Sequence, residues 1–94
     1  MRTPESMERA LGRFQERLQA MERECQLFRT FEGWKDESHR ARARELWREL
    51  SMLEHGFTAD RPSRLQLAFQ QRHLLLRYQT FKRTYRQFWE SLTG

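Results

Sequence analysis

Cysteine, proline and glycine are all scarce in this chain of 94 residues, and each scarcity excludes something. One cysteine, Cys25, cannot form an intrachain disulfide, so the stapled scaffold of small secreted domains is excluded. Two prolines and four glycines leave long stretches in which nothing stops a helix once it has started. Apolar runs are short as well: the longest are three residues, as in Leu74-Leu75-Leu76, against the roughly 20 that a membrane-spanning helix needs. Arg2, Glu5, Glu8 and Arg9 interrupt the N-terminus before any apolar run begins, so no signal peptide is expected. The expected setting is a reducing intracellular compartment, most simply the cytoplasm.

Catalytic patterns are missing too. His39, His55 and His73 lie far apart, and none has a partner at metal-ligand helical spacing, so they read as surface or helix-end histidines. No glycine-rich phosphate loop or nucleophile motif occurs, and Cys25 falls in an apolar heptad slot, where cysteine packs as a small hydrophobe. The expectation is a protein that is not an enzyme, with no metal, no cofactor and no small-molecule substrate.

What the chain does contain is helical periodicity. Thr3-Pro4-Glu5 combines an N-cap, a first-turn proline and an early acid. Met7, Leu11, Phe14, Leu18, Met21, Cys25 and Phe28 then alternate four and three without a miss. Gly33 followed by Trp34 reads as a Schellman stop, with Gly33 at C′ and the indole folding back onto Phe28. Gly56-Phe57 repeats that grammar and predicts a second stop, with Phe57 capping against Met52 or Leu53. Between them Asp36 or Ser38 caps a middle helix with the seam Ala43, Leu46, Leu50 and Leu53, widened by Trp47. Asp60 or Ser63 is the expected cap of the last helix. Its seam is Leu67, Leu74, Tyr78, Phe81, Tyr85, Phe88 and Leu92, broken only at Gln71. These signals predict an all-α, elongated three-helix up-down-up bundle with coiled-coil-like heptad packing. It forms a single domain over 1–94 with helices near 4–32, 36–55 and 62–92.

Two features of the last helix point to function. Charge is one. Acids and bases balance from Met1 to Phe57, whereas Thr58–Gly94 holds seven bases and two acids, so the net +5 of the whole chain resides there. Arg72, Arg83 and Arg86 project away from the aromatic seam, flanked by Arg77 and Lys82. Such a face suits an acidic partner or nucleic-acid phosphates. Tyr78 and Tyr85 are seam residues, however, which turns them toward the core rather than toward bases. Excess apolar surface is the other feature. Phe69, Leu75, Leu76 and Trp89 exceed what a seam requires, and Phe69 and Leu76 lie opposite it. The middle helix is also some ten residues shorter than its neighbours, about 15 Å at helical rise. The last helix should therefore overhang, leaving its end to be covered by another chain.

The resulting expectation is a non-enzymatic helical protein-protein interaction module: an adaptor, small chaperone or assembly subunit. Phe69, Leu76, Tyr85, Phe88, Trp89 and Leu92 form its contact surface to another protein or to a second copy in a homo-oligomer. The alternative is a small basic nucleic-acid-binding or regulatory protein using Arg72, Arg77, Lys82, Arg83 and Arg86.

Overall fold

A computed structural model describes residues 3–59 and 62–93 of the chain. The described residues are 88% helical with no strand, distributed over four helices. These are α1 (Pro4–Thr30), α2 (Glu37–Ala59), α3 (Leu65–Thr84) and α4 (Arg86–Thr93).

The start of α1 follows its sequence signals. The Thr3 side chain accepts a hydrogen bond from the Ser6 N–H at 3.1 Å, and Pro4 occupies the first turn. Every heptad residue from Met7 to Cys25 is buried, and Phe28 is half-buried at the end of the line. The stop is a Schellman motif displaced by one residue. The Gly33 N–H donates to the Phe28 carbonyl at 2.8 Å and the Glu32 N–H to the Arg29 carbonyl at 3.3 Å. Glu32 (φ 54°), not Gly33, thus takes the left-handed C′ position, while Gly33 (φ 148°) follows in a backbone region that only glycine enters easily. Trp34 folds onto Phe28 as the sequence predicts, ring centroids 5.1 Å apart.

At the start of α2, Asp36 Oδ1 accepts from the N–H groups of Ser38 (2.9 Å) and His39 (3.2 Å). The Ser38 hydroxyl also donates to it, and these bonds hold the Asp36 carboxyl below the usual carboxylate range. The expected stop at Gly56 does not occur: α2 runs through it to Ala59. The magnitudes explain why. A glycine inside a helix costs up to about 1 kcal/mol. Continuing the helix instead buries Phe57, whose ring lies 5.4 Å from that of Phe14, and burying a phenylalanine is worth about 1.5–3 kcal/mol.

The third expected helix is divided. Tyr85 leaves helical geometry (φ −111°, ψ 54°) and separates α3 from α4, although no glycine or proline is present to cause it. The break is made by packing. It lets α4 fold across the end of the bundle, where Phe88 lies 5.6 Å from Phe28 and 5.3 Å from Trp34. Trp89 meets Trp47, Tyr78 and Phe81 at 6.4, 6.0 and 5.6 Å. Arg40 and Arg44 donate to the carbonyls of Ser91 (3.4 Å) and Leu92 (3.3 Å), supplying partners that a helix C-terminus lacks. Nor does Ser63 cap α3: the cap position is Arg64, whose side chain makes no capping bond. Asp60, the other expected cap, lies outside the described residues.

Opposed contacts fix the directions. Phe14 meets Phe57, and Arg17 pairs with Glu49 at 2.5 Å while Glu24 meets His39, so α1 and α2 are antiparallel. Gln71 reaches the carbonyl of Phe57, the residue that meets Phe14, while Phe81 further along lies beside Cys25, so α3 returns parallel to α1. One cluster of buried side chains joins all four helices. The molecule measures 43 × 22 × 19 Å.

Candidate functional site

The inner face of α3 is fully engaged. Leu67, Gln71, Leu74, Tyr78 and Phe81 are buried, and Gln71 donates to the Phe57 carbonyl at 3.4 Å, tying the end of α2 to α3. Tyr78 is completely enclosed; burial, reinforced by the nearby Glu54 carboxylate, pushes its hydroxyl up to about 12. Tyr85 is half-buried against Phe81, with the Arg29 guanidinium 5.1 Å over its ring.

The expected contact residues separate into two groups. Phe88, Trp89 and Leu92 are buried within this chain, with Trp89 only 8% exposed. The overhang that was to present them to another chain is absent. The longer α2 and the break at Tyr85 remove the 15 Å mismatch that predicted it. Phe69 and Leu76, by contrast, are 62% and 59% exposed, on the side of α3 away from the core.

The cations separate in the same way. Arg77 grips Glu22 of α1 through two bonds, from Nη2 at 2.5 Å and from Nε at 3.3 Å, so it belongs to the bundle. The Lys82 ammonium sits 4.3 Å over the Tyr78 ring. Arg72, Arg83 and Arg86 are exposed, and among the described residues no carboxylate forms an ion pair with them. The carboxylates of the first two helices are partly spoken for: Glu24, itself buried, accepts from His39 Nδ1 at 2.9 Å and lies 3.7 Å from Arg42.

One residue of the outward face escapes the inner-seam reading. Leu65, at the first turn of α3, is 73% exposed, more than Phe69 or Leu76. The spacing contained the signal: Leu65, Phe69 and Leu76 fall on a line of fours and threes opposite the seam. Leu76 forms a crest between two shallow grooves. One, of about 690 Å³, runs past Ala68, Arg72 and Gln79; the other, of about 420 Å³, runs past His73, Arg77 and Thr80.

Among the described residues no three His, Cys, Asp or Glu side chains gather as a metal site, and no helix is long and apolar enough to cross a membrane. Set against known protein families, curated proteins and solved structures, the chain matches none.

Proposed function

We propose that this protein is a non-catalytic helical interaction module, an adaptor or assembly subunit, whose outward α3 face docks another protein. The observation that carries the reading is the solvent exposure of Leu65, Phe69 and Leu76 on one line of one helix, while the opposite face of that helix is buried. Scattered exposed apolar side chains are ordinary; three on one line of one helix, with Arg72 between the second and third, make an amphipathic face of the kind that partners cover. The arginines beside the strip keep a second reading in play, contact with nucleic-acid phosphates.

A photo-reactive side chain at position 76 tests the proposal, with position 19 on the exposed side of α1 as control. Discrete protein adducts from position 76 alone, unchanged after nuclease treatment, are the expected result. Adducts that disappear with nuclease would favour the second reading, and an absence of adducts at position 76 would overturn the first.

A further inference from the structure

The outward side of α3 carries more than an apolar strip. Leu65, Phe69, Arg72, Leu76, Gln79 and Arg83 succeed one another in steps of four, three, four, three and four, and all six are exposed. This is a second heptad line on the reverse of the helix, about 27 Å long at helical rise. Its apolar members lie toward the start of α3. Its charged members are both arginines, and Arg86 continues the line by one more step of three at the start of α4. No acidic residue occurs anywhere in α3.

From this pattern we propose that the line is one half of a two-helix seam, and that its occupant is an acidic amphipathic helix of another protein. The proposal rests on the docking reading above and names the partner's chemistry. A heptad line is filled by the heptad face of another helix, whose apolar knobs enter the spaces around Phe69 and Leu76. The arginines fix the sign: flanking positions that meet Arg72 and Arg83 must carry Asp or Glu, because this chain supplies neither there. Polarity follows as well. The partner is apolar opposite Leu65, Phe69 and Leu76 and acidic beside Arg72, between the second and third of these, and beside Arg83 at the end of α3.

The same observations weigh against other occupants. A second copy would set one acid-free arginine row against another, in the part of the chain that already holds the whole excess of positive charge. Nucleic acid would satisfy the arginines but would leave Leu65 and Leu76 in water, and both tyrosines of α3 and its end are packed against the protein.

The test uses the full chain and synthetic helical peptides of about 21 residues, three heptads, with leucine in the seam and glutamate or lysine at the flanks. Fluorescence anisotropy should show binding of the glutamate peptide and none of the lysine peptide. Phe69→Asp and Leu76→Asp should each weaken binding about ten-fold or more, as expected for central anchors, with the circular dichroism unchanged and the melting midpoint lower by only a few degrees. Replacing both Arg72 and Arg83 by Glu should reverse the preference, so that the lysine peptide binds and the glutamate peptide does not. That reversal cannot arise from a misfolded variant. Equal binding of both peptides, or of neither, overturns the proposal. So does a chain that sediments as a dimer which Leu76→Asp dissociates, or one that holds a DNA duplex or anionic vesicles more tightly than the glutamate peptide. If the peptides fail while position 76 still captures protein, the partner's chemistry is wrong and the docking face stands. If both fail, the face itself is misread.

Discussion

One position in α1 and one just past its end are held by residues that are not the best ones for their backbone. Gly12 lies in the helix interior on the exposed side, and a Cβ added there would meet nothing within 4 Å. Close approach of another part of this chain therefore does not explain it, and Gly12→Ala should stabilise the fold by about 0.8–1 kcal/mol. Glu32 bears the opposite mismatch: a left-handed conformation costs a side-chain-bearing residue about 1–2 kcal/mol, and Glu32→Gly should recover about half of that once the unfolded chain's extra freedom is counted. Urea denaturation of the two variants checks both signs, and a loss of stability in either would mean that its local backbone is misassigned. Cys25 gives a prediction in pH. Burial is the main cause that lifts its thiol from 9.0 to about 11, with Arg29 opposing and Glu22 assisting. The folded chain then holds this proton more tightly than the unfolded one. The contribution to stability is complete below pH 9 and is lost as pH rises through 11. Tyr78, pushed up to about 12, extends the loss in the same direction. Melting midpoints should fall from pH 9 upward, less steeply in Cys25→Ala. A thiol reagent at pH 8 should react slowly with the native chain and rapidly in denaturant.

At the scale of elements, the inner seams were legible because periodicity reports which face of a helix is buried, and that holds wherever the helix ends. Met7 through Cys25, Ala43, Leu46 and Leu50, and Leu74, Tyr78 and Phe81 all lie where fours and threes place them. The ends were less legible, since they depend on contacts that no local window contains. Gly56 looks like a stop until Phe57 is seen against Phe14, and nothing in TYRQF announces a break at Tyr85. The outward line of α3 was readable in part: Phe69 and Leu76 stood out as surplus, but the division of the candidate surface into buried and exposed halves follows from that break. The polar HRARAR stretch reads as an indistinct helix start, and only the fold shows Arg40 and Arg44 bonding the last carbonyls of α4. This makes α4 a structural element with a measurable weight. Trp89→Ala removes an indole packed against Trp47, Tyr78, Phe81 and Phe88, and should cost about 3–5 kcal/mol. A chain ending at Gln87 loses Phe88, Trp89 and Leu92 together and should not fold cooperatively at all. Retention of a sharp, native-like melting transition by that truncation would show that α4 is dispensable.

The whole molecule is a thin rod, and its proportions set what its surfaces can do. With a radius of gyration of 14.3 Å it is more extended than the roughly 12 Å of a compact chain of this length, so few side chains lie deep and each deep one carries much of the fold. Phe14 and Phe81 are such residues: Phe14 meets Phe57 and Tyr78, and Phe81 meets Tyr85, Phe88 and Trp89. Replacing either by alanine should cost about 3–5 kcal/mol, a large part of the 5–15 kcal/mol that an ordinary domain possesses. For a chain of this size that corresponds to a midpoint at least about 12 °C lower. The outward line of α3 should behave in the opposite way. Leu65, Phe69 and Leu76 are already in water in the isolated chain, so exchanging all three for serine forfeits little burial. The chief cost is that serine is a weaker helix former than leucine, a few tenths of a kcal/mol at each of positions 65 and 76, and about level with phenylalanine at 69. The contrast between the two sets is the measurement. Thermal melts of Phe14→Ala, Phe81→Ala and the triple serine variant should separate into two strongly destabilised chains and one near wild type. On the proposed reading, the triple variant should also lose binding of the glutamate-flanked helical peptide. If it melted as low as the phenylalanine variants, the outward line would be part of this chain's own core, and α3 would have no free face to offer a partner.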